Sequence, residues 1–140
     1  MEYPAYTDYK SAGIKWLEFI RDHWNVTTFS RLLKGIKDGT HGTHERFPEG
    51  FPLLSAKNVF NDRLDISQTE STISEEEYKQ ITANGFPAKN DILVTCVGTI
   101  GRSYVFDQDQ PQAFQRSVAF LRLESGMCPQ YYERSCFRLL

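Results

Sequence analysis

The 140-residue sequence has few cysteines, no long hydrophobic run and no excess of positive charge. Its three cysteines, Cys96, Cys128 and Cys136, are odd in number and lack metal-type spacing, which argues against a disulfide framework and favours a reducing compartment. No apolar run approaches the roughly 18 residues of a membrane span, and the polar, aromatic N-terminus lacks a signal-peptide core. We therefore expect a cytoplasmic protein with no membrane partner.

The formal net charge of −2 argues against a uniformly basic nucleic-acid-binding protein, because such proteins neutralise phosphates with lysine and arginine. The acidic residues are concentrated, however. Residues 61–80 carry six acidic and two basic side chains, whereas residues 27–60 carry three acidic and five basic ones. The acidic segment can therefore face away from a polyanion that the rest of the chain binds.

The composition predicts one folded domain over residues 1–140. Hydrophobic residues make up 40%, aromatic residues 14% and charged residues 24% of the chain, as in globular proteins. A chain of this length buries enough surface for a single core. Hairpin spacing and isolated helix caps predict an α+β fold, with a curled, mainly antiparallel sheet and a few peripheral helices.

The most ordered pattern is the β-rich stretch of residues 91–106, in which two glycines, Gly98 and Gly101, separate two runs of strand-forming residues. Glycine adopts the positive φ that tight hairpin turns need, so we predict strands near residues 91–97 and 102–106 joined by a tight turn. Cys96 would then lie inside an apolar strand, where its thiol packs against neighbouring side chains and is unreactive. No lysine followed by serine or threonine accompanies the glycines, so a phosphate-binding P-loop is not indicated.

The remaining elements follow from local signals. Further strands are predicted near residues 26–32, 52–59 and 113–123, and helices near residues 75–83 and 130–140. Ser74 and Glu77 form a capping box at the start of the first helix, and Asn84-Gly85 ends it. The apolar cluster of residues 14–24 favours a short helix or irregular turns, with Trp16 and Trp24 as core anchors.

Residues 37–50 are rich in glycine, threonine, histidine and proline, which predicts a long surface loop. Threonine, histidine and arginine side chains in such a loop donate readily to phosphate oxygens or base edges. An alternative is a small metal-dependent hydrolase that uses Asp38, His41 and His44. No further ligand lies at a zinc-like spacing, and no Ser-His-Asp order is defensible, so we assign no catalytic and no metal-binding residue.

Five blocks occur in an order that resembles a known family. They are WLEFIRDHW at 16–24, PLLSAKNV at 52–59, ISEEEY at 73–78, DILVTCVGTIGR at 91–102 and QRSVAFLR at 115–122. Together they resemble a target recognition domain of the specificity subunit of type I restriction-modification systems. Two positions differ from the family pattern: Arg21 stands where proline is usual, and Asn90 stands where glycine is usual. Asparagine tolerates the left-handed conformation best among non-glycine residues, so the second change is mild.

The resemblance implies a fold like that of DNA methylase specificity domains and a non-catalytic role. Such a domain reads one half of a bipartite site on double-stranded DNA for the methyltransferase (M) and restriction (R) subunits. S-adenosylmethionine, ATP and Mg²⁺ then belong to those partners, and no cofactor is expected on this chain. The family also has a long spacer helix and a second recognition domain, so we expect that this chain is truncated before them.

Eight side chains are candidates for DNA contact under this interpretation. Four are cationic and suit phosphates or guanine, and four suit neutral hydrogen bonding to base edges. The cationic ones are Arg46, Lys57, Arg102 and Arg116; the neutral ones are His44, Asn58, Thr99 and Gln115. A third hypothesis is an interaction module that does not bind DNA and that uses the apolar C-terminus to occupy methyltransferase partners.

Overall fold

The computed structural model describes residues 8–66 and 71–138. It contains nine strands and two α-helices within those ranges. The strands are β1 (Tyr9–Ile14), β2 (Leu17–Arg21), β3 (Leu33–Asp38), β4 (Phe51–Leu54), β5 (Thr72–Ile73), β6 (Ile92–Thr95), β7 (Ser103–Val105), β8 (Ala113–Phe114) and β9 (Val118–Leu123). The helices are α1 (Glu75–Thr82) and α2 (Pro129–Phe137). Neither helix has the length and apolarity needed to cross a bilayer, within the part of the chain described.

The chain divides into two compact units, Met1–Leu32 and Leu33–Leu140. In the first unit, β1 and β2 form an antiparallel hairpin, and a 3-10 turn follows at Phe29–Leu32. The expectation of a short helix or irregular turns at residues 14–24 is therefore wrong, as is the strand near residues 26–32. Trp16 and Trp24 are 82% and 52% exposed, so they are not core anchors. Thr28 and Ser30 share a hydroxyl hydrogen bond of 3.2 Å, a local contact that competes with strand pairing.

The second unit contains two sheets. The larger has the order β3-β9-β6-β7 with every neighbouring pair antiparallel, and the smaller has the order β5-β4-β8. In the smaller sheet, β4 pairs antiparallel with β5 and parallel with β8. The prediction of an α+β protein with mainly antiparallel strands is thus confirmed. The predicted strand at residues 52–59 is correct only over its first part, because a 3-10 turn occupies Ala56–Asn58.

The core of this unit is formed by apolar residues from both sheets. Leu54, Leu93, Phe106, Phe114 and Phe120 are almost completely buried in one cluster, and Phe114 packs edge-on against Phe120 with ring centroids 5.5 Å apart. The predicted strand at residues 113–123 is two strands, β8 and β9, with a loop between them. That interruption matters for function, because it places Gln115, Arg116 and Ser117 in a loop.

Helix α1 follows its local signals closely. The Ser74 hydroxyl accepts a hydrogen bond from the Glu77 backbone N–H at 3.2 Å, and Gly85 adopts a left-handed φ of 73° beyond the last turn. The predicted helix at residues 75–83 is therefore confirmed to within one residue. Asn90 has a φ of 74° and is the one non-glycine residue with positive φ among those described.

Helix α2 is held by a buried carboxylate. Glu133 is 2% exposed, and its Oε1 accepts from the Ser103 hydroxyl at 2.5 Å and from Arg138 Nε at 2.6 Å. Arg138 also donates to the carbonyl oxygen of Asn61. The predicted helix at residues 130–140 is confirmed over most of its length; its last two residues lie outside the described ranges.

Candidate nucleic-acid interface

Strands β3 and β6 both run antiparallel to β9, so both end where β9 begins. The loops that leave β3, β4, β6 and β8 meet at this end of the sheet. We call the four segments 38–40, 55–60, 95–102 and 115–117 the loop end. Three of the five blocks that resemble the restriction-modification family contribute to it.

Backbone hydrogen bonds fix these loops to one another. Thr40 pairs with the β8–β9 loop: its N–H donates to the Phe114 carbonyl at 2.7 Å, and its carbonyl accepts from the Arg116 N–H at 3.1 Å. The Cys96 N–H donates to the Ser117 carbonyl at 2.9 Å, and the Gln115 N–H donates to the Leu54 carbonyl at 2.8 Å. Because these are main-chain contacts, the loop end has a defined backbone shape whatever its side chains do.

Two small residues make this close approach feasible. A Cβ at Gly39 would lie 2.3 Å from the carbonyl oxygens of Phe114 and Gln115, so any other residue collides with backbone there. The Ser117 hydroxyl accepts from the Ala56 N–H at 3.0 Å and joins the loop after β4 to the loop before β9. Ser117 therefore helps to hold the backbone of the loop end.

The loop between β6 and β7 is longer than a tight hairpin turn. Thr95 closes it: the Gly101 N–H donates to the Thr95 carbonyl at 3.0 Å, and the Arg102 N–H donates to the Thr95 hydroxyl at 2.9 Å. Gly98 and Gly101 have φ angles of 80° and 86°, which confirms that both glycines serve turn geometry. The expectation of a tight turn is wrong, since residues 96–102 separate the strands, and Cys96 is exposed beyond the end of β6.

Four of the predicted DNA-contacting residues lie at the loop end with accessible side chains. Arg116 is exposed, and its guanidinium makes no hydrogen bond or ion pair with any residue that the structure describes. Lys57 is exposed on the 3-10 turn, and Thr99 is exposed at the tip of the β6–β7 loop. Gln115 is half-buried beside Arg116.

Arg102 also belongs to the loop end, but its side chain turns along the protein. Its guanidinium lies 4.7 Å from the centre of the Phe60 ring and donates to the Val59 carbonyl at 3.4 Å. Arg63 approaches the same ring at 4.5 Å. Arg63 was not among the candidate residues, because it lies in the acidic segment. It also pairs with Asp62, with Nη1 3.2 Å from Oδ1, so of the two guanidiniums on this ring only that of Arg102 has no carboxylate partner among the described ion pairs.

Asn58 does not fit the role predicted for it. It is 2% exposed; its Oδ1 accepts from the Ser55 N–H at 2.8 Å, and its Nδ2 donates to the Asp65 carbonyl at 2.9 Å. The side-chain amide is therefore used to hold the 3-10 turn and has no open face for a base. The prediction that Asn58 reads DNA is withdrawn.

His44 and Arg46 lie beside the loop end and are tied to α1 and β5. His44 is largely buried, with Nδ1 3.0 Å from Glu77 Oε1 and Nε2 3.0 Å from the Thr40 hydroxyl. The Glu77 carboxylate can only accept, so Nδ1 donates to it, while Nε2 faces the Thr40 hydroxyl. Arg46 is exposed and donates to the Ser71 carbonyl at 3.4 Å. His44 thus has both ring nitrogens occupied, and it links the loop end to helix α1.

The same geometry bears on the hydrolase alternative. His41 Nε2 lies 2.6 Å from Asp38 Oδ2, whereas His44 is engaged by Glu77 and Thr40. Within the described ranges, no group of three or more histidine, cysteine, aspartate or glutamate side chains is arranged to hold a metal ion. The arrangement gives no positive support to a metal centre built on these two histidines.

Charge at the loop end differs from that of the chain as a whole. Segments 55–60, 95–102 and 115–117 contain one basic residue each and no acidic residue. Segment 38–40 contains one acidic residue, Asp38, and no lysine or arginine, so the four segments together carry three basic residues and one acidic residue. A local surplus of positive charge therefore exists where four loops converge.

The sequence matches no protein-family model, and no curated protein is similar enough to count as a match.

Proposed function

We propose that the chain is a sequence-specific DNA-recognition module, the target recognition domain of a type I restriction-modification specificity subunit. It reads one half of a bipartite site in the cytoplasm and presents that site to methyltransferase and restriction subunits. The chemistry, with its S-adenosylmethionine, ATP and Mg²⁺, belongs to those partners. The DNA methylase specificity-domain fold is part of the same proposal.

One observation carries the proposal: three of the blocks that resemble the family converge at the loop end, where their segments contain Lys57, Arg102 and Arg116 and no acidic residue. Cations held on a fixed backbone suit phosphate contact, and exposed Thr99 and half-buried Gln115 beside them suit base edges. Arg102 and Arg116 differ from arginines that serve the fold through ion pairs. None of the described ion pairs involves Arg102 or Arg116, whereas Arg122 and Arg138 are both paired internally.

The test measures the affinity of the full chain for labelled duplex DNA by fluorescence anisotropy over a range of salt concentrations. Sequence-independent binding is generally about 10⁻⁴–10⁻⁶ M, and each phosphate contact contributes about −0.9 to the slope of log K against log salt. Three cations predict a slope of about −2 to −3. Arg116→Ala should reduce the magnitude of that slope by about one and weaken binding to all sequences if Arg116 contacts a phosphate.

Lys89→Ala is the matched control. It removes the same single charge from a residue just before β6, at the opposite end of the sheet, where Lys89 is paired with Asp109. It should leave the slope unchanged. Salt-independent binding, or equal effects of Arg116→Ala and Lys89→Ala, would contradict the proposed interface.

Specificity is tested by assembling the chain with its methyltransferase and mapping the methylated sites. A bidentate contact from Arg102 or Arg116 to guanine predicts relaxed preference at one base position, and a cost of about 1–3 kcal/mol, in the alanine variant. Unchanged sites in both variants would remove these two arginines from base reading and leave Thr99 and Gln115 as the residues to test.

A further inference from the structure

The tip of the β6–β7 loop exposes two aliphatic side chains that the proposed function does not yet use. Ile100 is 77% exposed and Val97 is 54% exposed. Exposed aliphatic side chains gain nothing from contact with water, and Ile100 is the more exposed of the two isoleucines, Ile36 and Ile100, that are largely exposed in the described part of this unit, whereas Ile73 and Ile92 are completely buried.

The loop that carries them is well held. Thr95, which is 1% exposed, closes its base through bonds to Gly101 and Arg102, and the Cys96 N–H bonds the Ser117 carbonyl. The backbone at its base therefore does not need DNA in order to adopt its shape. A held loop with an apolar tip can insert without first paying the entropy of ordering.

The base of the loop is cationic. Arg102 is the last residue of the loop, and Cys96 Sγ lies 3.6 Å from the Arg116 carbonyl, which places Arg116 at the other side of the loop's base. Segments 95–102 and 115–117 contain no acidic residue. An apolar tip on a loop with arginines at its base complements duplex DNA, in which the charged backbones border a stack of apolar base faces.

We propose that Ile100, supported by Val97, is an apolar wedge that inserts at a base step and partly unstacks it while Arg102 and Arg116 hold the flanking phosphates. Inserted aliphatic side chains of this kind kink and unwind DNA, and the cost of unstacking is offset by the additional protein–DNA contact that the bend allows. This inference rests on the proposed DNA-binding function and adds a mode of binding to it.

The experiment needs no knowledge of the target sequence. Closed circular plasmid is relaxed by a topoisomerase in the presence of the full chain, freed of protein, and resolved by electrophoresis. Partial unstacking unwinds the helix, so the wild-type protein should shift the linking-number distribution, in proportion to the amount bound. Ile100→Ser should abolish the shift while leaving the salt slope of DNA binding unchanged, because no charge is removed.

Two variants support this comparison. Ile36→Ser is the matched control. Ile36 is 64% exposed on edge strand β3, so this variant loses a largely exposed isoleucine away from the tip and should behave as wild type. Ile100→Phe keeps a wedge-forming side chain and should retain the shift. An Ile100→Ser protein that still shifts the linking number would overturn the inference.

The failure of this inference differs from the failure of the proposed function. Salt-dependent DNA binding by anisotropy without any linking-number shift would overturn the wedge and leave the DNA-recognition function standing. No DNA binding at all would overturn both. Binding of the tip to phosphatidylserine-containing vesicles, lost in Ile100→Ser and unaccompanied by any effect on DNA, would assign the surface to a membrane and likewise overturn the wedge.

Discussion

Replacing Asp91 with alanine should destabilise the fold severely, because this carboxylate is buried and accepts three short hydrogen bonds. Asp91 is 2% exposed; it accepts from Arg122 Nε at 2.8 Å, from Arg122 Nη2 at 2.7 Å and from the Ala88 N–H at 2.7 Å. Arg122 also donates to the Gly85 carbonyl at 2.7 Å and lies 3.9 Å above the Phe86 ring. The pair therefore joins β9, the start of β6 and the segment that follows α1.

The expected loss of folding stability depends on the contacts that Arg122 keeps after Asp91 is replaced. Removing one partner of a buried ion pair generally costs about 3–5 kcal/mol, because the other charge is left without compensation. Arg122 is 29% exposed and keeps its bond to Gly85, so we expect about 3 kcal/mol. Hydrogen bonding to Asp91 also raises the pKa of Arg122 further, so the guanidinium stays charged in the folded state.

Urea unfolding followed by circular dichroism measures this loss. With a denaturant slope of about 1.5–2 kcal/mol per molar, a loss of about 3 kcal/mol lowers the midpoint by roughly 1.5–2 M. Asp109→Ala is the control, since its carboxylate lies at the same 2.7 Å from Lys89 but both side chains are more than half exposed. Its midpoint should not move measurably. Equal midpoint shifts for the two variants would refute the argument that burial determines how much an ion pair contributes to folding stability.

Three further predictions concern stability. Gly39→Ala should lower the free energy of unfolding, measured in urea, by about 1–3 kcal/mol or more, because the new Cβ would lie 2.3 Å from two carbonyl oxygens. Stability near that of wild type would disprove this close approach. Glu133→Ala should cost about 3–5 kcal/mol by the same measurement, because it removes a buried carboxylate from two donors, and a loss below about 1 kcal/mol would contradict this. A hydrogen bond from Tyr104 lowers the pKa of Asp107, and burial together with that bond raises the pKa of Tyr104. Because the folded-state pKa of Asp107 lies below its unfolded value of about 3.9, its stabilisation is complete above about pH 4 and is lost as the pH falls through the folded-state value. We expect Tyr104→Phe to be less stable than wild type by less than about 1 kcal/mol, because the Asp107 carboxyl is so exposed. This difference in stability should shrink in acid. A difference that grows in acid would contradict the role of the Tyr104–Asp107 hydrogen bond.

Helix α1 shows which features can be predicted from the sequence. Its start depends on Ser74 and Glu77, and its end depends on Gly85, all of them within a few residues of the helix itself. The left-handed conformation of Asn90 is local in the same sense. The ends of this helix were therefore predicted to within one residue.

The loop end shows what the sequence could not supply. Thr40 bridges to Gln115 across 75 positions, and β4 pairs in parallel with β8, so neither contact leaves a periodic signal. Candidate residues were identified by type, but whether they meet depends on these distant pairings. Asn58 illustrates the difficulty, because its side chain has the right chemistry for adenine and is instead used to hold its own turn.

The N-terminal hairpin was missed for a different reason. The dense apolar composition of residues 14–24 was interpreted as a core segment, but β1 and β2 form a two-stranded sheet in which Trp16 and Phe19 are exposed. Hydrophobic composition predicts burial only when a second layer covers the element. The predicted strand at residues 26–32 failed similarly, because β-branched residues favour a strand only where a partner is available to pair.

The net charge of −2 is a poor guide to what this chain binds, because the charges are unevenly distributed: residues 61–80 carry six acidic and two basic side chains, whereas residues 27–60 carry three acidic and five basic ones. Screening at physiological salt limits the reach of distant acidic side chains to about 8–10 Å. The charge that a polyanion meets is therefore the local one, and at the loop end it comes from Lys57, Arg102 and Arg116. The salt slope of DNA binding tests this directly, because it should correspond to about three cations even though the whole chain is acidic. A slope near zero would contradict an interface built on these three side chains.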